Sequence, residues 1–128
     1  MGGGETMIAA GVGFSSGALA EEIEVLVRLT ERRAGQNAEV LAAPDFKDCA
    51  PLRAAAAALR LPLILLGRVA LEAAQPHCAT HSDLAGAAVG LASVAEACAL
   101  AAAGAKSRLL VARLAQGRAT CALAGNLP

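Results

Sequence analysis

Ala9-Ala10-Gly11-Val12-Gly13-Phe14-Ser15-Ser16-Gly17, followed at once by Ala20-Glu21-Glu22-Ile23, decides how the rest of this chain is read. The order is a buried strand, a tight glycine turn and the start of an amphipathic helix. Glycine lets a backbone turn sharply and approach a ligand, and the free N–H groups at a helix start favour anions. Residues 7–12 are therefore predicted as a first strand. Beyond the turn, Leu19, Ile23, Leu26, Val27 and Thr30 fall at helical spacing. Glu21, Glu22 and Glu24 sit early in that helix and Arg28, Arg32 and Arg33 late, as its dipole prefers, and Gly35 ends it.

Working outward, residues 39–43 read as a second strand ending at Pro44. Asp48 is positioned to cap a helix that tolerates Pro51 in its first turn, and the alanines at 54–58 make that helix thin enough to pack closely. Pro62 introduces a strand over 63–66, with a short helix over 69–74 behind it. Residues 75–83 are polar and irregular, and 87–89 form a short strand. Ser93-Val94-Ala95-Glu96 is a capping box, opening a helix that stops at Gly104. Residues 109–114 and 118–123, joined at Gln116-Gly117, close the chain as a β-hairpin. The alternation predicts an α/β fold: a three-layer α/β/α sandwich around a mixed sheet of about five strands, ending in the hairpin. Residues 1–6, with three glycines, read as a flexible start, and 7–128 as one domain.

At 128 residues the chain can bury roughly two-thirds of its unfolded surface. Eleven basic and eleven acidic residues cancel, so no overall field steers it to nucleic acid. Phe14 and Phe46 are its aromatics, too few for a base-stacking platform. The aliphatic run at 61–66 is far short of the roughly 20 residues that span a bilayer, and no signal peptide opens the chain. Met1-Gly2 with Thr6 formally fits a myristoylation pattern, but the run of glycines reads better as a flexible start. Cys49, Cys78, Cys98 and Cys121 are widely spaced with no C-x-x-C pair, which fits reduced thiols in a cytoplasmic protein.

Ligands of open α/β sheets collect beyond the carboxyl ends of the parallel strands. The first exit carries Gly11, Gly13, Phe14, Ser15 and Ser16, the second Asp45, Phe46 and Lys47, and the third Gly67 and Arg68. The turn from Gly90 to Ser93 is expected to join them. Backbone donors, hydroxyls, two cations and two rings suit a large, planar ligand decorated with carboxylates. Other chemistries fit less well. Gly17 falls one place beyond the third glycine of G-x-G-x-x-G, and the second half of a dinucleotide-binding sheet is missing. His77-Cys78-x-x-His81, with Asp83 nearby, has ligand types for zinc or cobalt but no matching second pair, so no metal site is assigned. Ser15 and Ser16 do not lie on a G-x-S-x-G elbow, and Glu21 and Glu22 face different sides of one helix as solvated residues. No catalytic residue is assigned.

Taken together, Gly11-Val12-Gly13 leading to Glu21-Glu22-Ile23, Asp45-x-Lys47-Asp48, Leu59-x-Leu61-Pro62-Leu63 and Val89-Gly90-x-x-Ser93-Val94-Ala95-Glu96-Ala97 resemble the CobE/CbiG C-terminal domain of cobalamin biosynthesis. Leu109-Leu110-Val111 and Thr120-Cys121-Ala122-Leu123-Ala124 fit its end, so the resemblance runs from residue 7 to 124. It implies an α/β/α fold acting in corrin-ring synthesis. In long CbiG-type proteins this module follows other domains, and the whole protein opens a ring lactone of a cobalt-precorrin (cobalt-precorrin-5A), releasing acetaldehyde. Standing alone, as in CobE-type proteins, the module is expected to bind, protect or hand over a precorrin or corrinoid acid in a bacterial cytoplasm. No cofactor of its own is expected. The alternatives are a hydrolase or lyase acting on the corrin periphery, and a docking module for a pathway methyltransferase.

Within this chain's own strand exits, Gly11, Gly13, Ser15 and Ser16 are expected to offer backbone and hydroxyl donors, Lys47 and Arg68 to pair with carboxylates, and Phe14 or Phe46 to lie against the macrocycle. Asp45, Gly90 and Ser93 complete the expected site, and the loop with His77 and His81 is expected to cover it. Family members often carry a cysteine and basic residues after the second glycine, where this chain has Phe14, Ser15 and Ser16. Near the last strands they often carry lysine, where this chain has Arg113. That shifts carboxylate capture onto Lys47, Arg68 and the helix N-terminus.

Overall fold

Apolar runs that end in glycine or proline become strands here, and the segments between them that repeat at helical spacing become helices. The computed structural model describes residues 7–79 and 93–126. In chain order these form β1 (Ile8–Phe14), α1 (Ala20–Ala34), β2 (Val40–Pro44), α2 (Ala50–Leu59), β3 (Leu63–Leu66), α3 (Arg68–Ala74), α4 (Val94–Ala103), β4 (Arg108–Gln116) and β5 (Ala119–Gly125). Short 3-10 turns follow β2 at Asp45–Lys47 and α3 at Gln75–His77. The predicted flexible start, the strand at 87–89, His81, Asp83 and Gly90 lie outside the described residues.

Among the described residues the sheet has five strands in the order β3-β2-β1-β5-β4. β1, β2 and β3 are parallel, and β5 runs antiparallel to both β1 and β4. The fold is α/β with a mixed sheet, closed by the predicted hairpin. Successive residues of a strand face opposite ways. Ala10 and Val12 of β1 accordingly join a core cluster with Ile23 and Leu26 of α1 and Leu52 of α2. Ala9 joins a second cluster with Leu71 of α3 and Ala95, Cys98 and Ala99 of α4.

Asp48, predicted as a cap, does not cap α2. The N-cap is Cys49, and the Asp48 carboxylate takes two hydrogen bonds from Arg53, both 2.7 Å. A forked guanidinium one turn into the helix outcompetes the backbone for this carboxylate. At α4 the Ser93 Oγ accepts the Glu96 N–H at 3.2 Å, as predicted. The Glu96 carboxylate reaches across to β4 and accepts the Arg113 N–H at 2.8 Å.

β4 is an edge strand, and its register slips between Leu109 and Val111 and again between Val111 and Leu114. Bulges leave ladder groups unmatched. The fully buried Glu96 carboxylate serves the backbone at the second of them.

Candidate functional site

Because β1, β2 and β3 are parallel, Phe14, Pro44 and Leu66 end at one edge of the sheet. β5 starts at that edge, where Ala119 pairs with Phe14, so the hairpin turn at Gly117-Arg118 lies there as well. α4 also begins there, since the Val94 Cβ lies 3.5 Å from where a Gly13 Cβ would stand.

This edge holds an open cleft of about 660 Å³ between the β1–α1 loop and the start of α2. Phe14, Ser15, Ser16 and Gly17 form one wall, and Phe46, Lys47, Asp48 and Cys49 the other. Lys47 bridges them: its ammonium sits 5.4 Å from the centroid of the Phe14 ring. At that distance the ring quadrupole attracts the cation and holds it at the mouth of the cleft. Phe46 stands 65% exposed beside it, an unusual position for a ring with nothing to cover.

The electrostatics favour an anion near Lys47. Asp48 is the acidic residue of the cleft wall, and its charge is matched by Arg53. The Arg53 hydrogen bonds hold the Asp48 carboxyl below its usual range, and the carboxylate in turn raises Arg53. α2 points its N-terminus at the cleft through Cys49, adding the positive end of its dipole.

Of the residues singled out from the sequence, Phe14, Ser15, Ser16, Phe46 and Lys47 come together on this cleft. Others are near the edge but differently employed. Asp45 lies against Gly67 at the next strand exit, with Oδ2 3.6 Å from where a Gly67 Cβ would stand. Arg68 is exposed and turned toward Glu72, 3.6 Å away on its own helix. Ser93 is buried as the cap of α4.

Gly11 is a packing residue. It pairs on both sides within the sheet, and a Cβ there would run into the backbone of Ala95 and Ala99 on α4. The missing side chain at Gly11 lets α4 approach the sheet. Gly13 differs: a Cβ there would stand 2.9 Å from the Thr120 hydroxyl, which its carbonyl accepts at 3.2 Å, and would meet Val94 of α4 at an ordinary 3.5 Å.

His77 is not brought to the cleft. It lines a smaller hollow of about 350 Å³ between α3 and α4, together with Leu100, Gly104 and Ser107. Ser107 precedes Arg108, which pairs with Gly125 opposite Ile8, so this hollow lies at the amino end of the strands. Among the described residues no three His, Cys, Asp or Glu side chains form a group able to hold a metal ion. No described helix is long and apolar enough to cross a membrane.

Two residues were missed by sequence reasoning. Glu22, read as a solvated residue, accepts the Leu19 N–H at 2.8 Å and the Arg118 N–H at 3.3 Å. Arg118 donates from Nη1 to the Gly17 carbonyl at 2.9 Å, and its own carbonyl accepts the Ser15 N–H at 3.0 Å. Only the glycine of the hairpin turn hinted that this region mattered.

The family model "Cobalamin synthesis G C-terminus" matches residues 8–124. No curated protein matches the chain. Among solved structures it is similar to CobE, described as a protein from the cobalamin (vitamin B12) biosynthetic pathway, at 34% identity and a TM-score of 0.84. That likeness covers 95% of this chain and 92% of the other. It is also similar to the cobalamin biosynthesis protein chiG from Agrobacterium tumefaciens strain C58, at 38% identity and a TM-score of 0.75. There 92% of this chain and 97% of the other are covered.

Proposed function

This chain belongs to the cobalamin synthesis G C-terminus family, and we propose that it binds an acidic precorrin or corrinoid intermediate in the carboxyl-edge cleft. It holds and shields the pigment, or hands it to the next enzyme of the route. The observation that carries this reading is Lys47 poised over the Phe14 ring at the cleft mouth, with Phe46 exposed beside it.

A corrin-type macrocycle is a broad, largely apolar disc with carboxylates around its rim. Rings can lie against the disc, while an ammonium and a helix N-terminus take a rim carboxylate. The hydroxyls of Ser15 and Ser16 are exposed on the same wall and supply further donors. The cleft lies within the usual size range of small-molecule sites, so it takes part of the pigment and leaves the rest outside. Such partial cover suits a protein that must release its cargo. The reading carries with it a cytoplasmic site of action in a bacterium, where reduced thiols are the normal state.

An absorbance titration of the protein with ring-contracted corrinoid acids and late precorrins tests it. Saturable binding with the pigment mass unaltered is the expected result. A new pigment mass under catalytic amounts of protein would make the chain an enzyme acting on the corrin periphery. Absence of binding to every pigment would replace this reading with docking on a pathway methyltransferase.

A further inference from the structure

We infer that Arg118 is a positioning residue for the cleft, holding the β1–α1 loop in its binding shape from the hairpin on the far side. The inference rests on the binding reading above for its effect on affinity, and on geometry alone for its effect on the loop.

Ser15, Ser16, Gly17 and Ala18 line the cleft, yet the loop contributes only one turn bond of its own, from the Ala18 N–H to the Ser15 carbonyl at 3.1 Å. Two further anchors come from across the sheet edge. The Arg118 carbonyl accepts the Ser15 N–H, and the Arg118 guanidinium donates to the Gly17 carbonyl. The contact to Gly17 matters because that residue sits at φ 89°, a left-handed conformation with a wide choice of alternatives when nothing fixes it.

Glu22 completes the tie in the opposite sense. Its carboxylate takes the N–H of Leu19 at the end of the loop and the N–H of Arg118 at the hairpin. The two charged side chains thus cross over, each bonding the backbone of the other's segment. Glu22 also packs against the hairpin so closely that a Cβ at Gly117 would stand 2.7 Å from its Oε2. Neither Arg118 nor Glu22 lines the cleft. Both ties to Arg118 are solvent-exposed, so they add little to global stability while deciding a local shape.

Arg118→Ala isolates the guanidinium, because the Ser15 N–H to carbonyl bond and the Glu22 bond both use the backbone of residue 118. The experiment compares the full chain with its Arg118→Ala and Arg118→Lys variants by amide hydrogen exchange and by absorbance titration with cobyrinic acid, a corrin polycarboxylate. In Arg118→Ala the amides of Ser15 and Ala18, whose N–H groups are the bonded ones of the loop, should exchange about tenfold faster while the rest of β1 and β5 keeps its protection. Affinity for cobyrinic acid should fall roughly three- to tenfold, the range of one charge-assisted contact weakened by solvent. Arg118→Lys, which keeps a donor, should restore most of both.

Unchanged loop exchange in Arg118→Ala would overturn the inference, as would a loss of protection spread over the whole sheet. Faster loop exchange with unchanged affinity would overturn the link between loop shape and binding. If the unaltered chain fails to bind cobyrinic acid, the titration counts against the binding reading, and the exchange data still decide whether Arg118 holds the loop.

Discussion

Cys49 caps α2 on the cleft wall and is half-exposed, whereas Cys78, Cys98 and Cys121 are buried, and none of the four is in a disulfide. Burial pushes the buried thiols up from the ordinary 9.0, Cys78 to about 11 and Cys98 and Cys121 to about 12. The nearby Glu96 carboxylate adds to the rise at Cys78, and a hydrogen bond with Thr30 works against it at Cys121. The thiolate is the reactive form. Iodoacetamide at pH 8 should therefore label Cys49 in the native protein, with peptide mass mapping showing the other three untouched. A bound corrinoid acid should slow that labelling, since Cys49 lines the cleft. Equal labelling of Cys98 or Cys121 would contradict the packing described for them. At the same scale, Asp48 shows what sequence could not say: its pairing with Arg53 turns a predicted cap into the local balance that leaves Lys47 free for an anion.

Among the elements, α4 packs directly on β1, with the Ala95 and Ala99 backbone where a Gly11 side chain would stand. Alanine is frequent on α4, and Gly11 beneath it removes the last side chain between helix and strand. Gly11→Ala forces a methyl into the Ala95 and Ala99 backbone, which cannot rotate aside. Overpacking of this kind costs about 1–3 kcal/mol, so the urea midpoint should fall with the slope unchanged. A neutral Gly11→Ala would show that α4 stands further off. The strands and helices were legible because their signals are local: apolar runs ending at glycine or proline, charges sorted along α1, a serine cap at 93. Gly11 was misread for the opposite reason. A glycine after a strand serves a turn, a ligand or a neighbouring helix, and the helix concerned arrives from far along the chain. The Arg118 contact to Gly17 spans 101 positions and has no signature in either segment. The second bulge of β4, and the buried Glu96 that serves it, were likewise invisible, since the capping box accounted for the glutamate within its own turn.

At the scale of the whole molecule, the parallel order of β1, β2 and β3 puts the first two strand exits side by side as the cleft walls, and the sequence reading anticipated that edge. It did not separate Arg68 and His77 from the cleft, because strand exits locate a backbone and not the direction of a long side chain. The buried thiols give the molecule a pH signature. Their folded pKa values lie above the ordinary 9.0, so above that pH the unfolded chain gives up protons that the folded chain keeps. Stability is therefore full below pH 9.0 and lost progressively as pH climbs through 11 toward 12. Urea midpoints between pH 8 and 10.5 should fall increasingly steeply, and a flat profile would mean the thiols are hydrated. In the proposed function, the carboxyl-edge cleft takes a carboxylate of an acidic corrin pigment through Lys47. The most direct test is the affinity of Lys47→Ala beside the unaltered chain for the same corrinoid acid at the same salt concentration. A loss of about 1–3 kcal/mol is predicted for a direct, charge-assisted contact, whereas equal affinity would remove Lys47, and the cleft it guards, from the binding site.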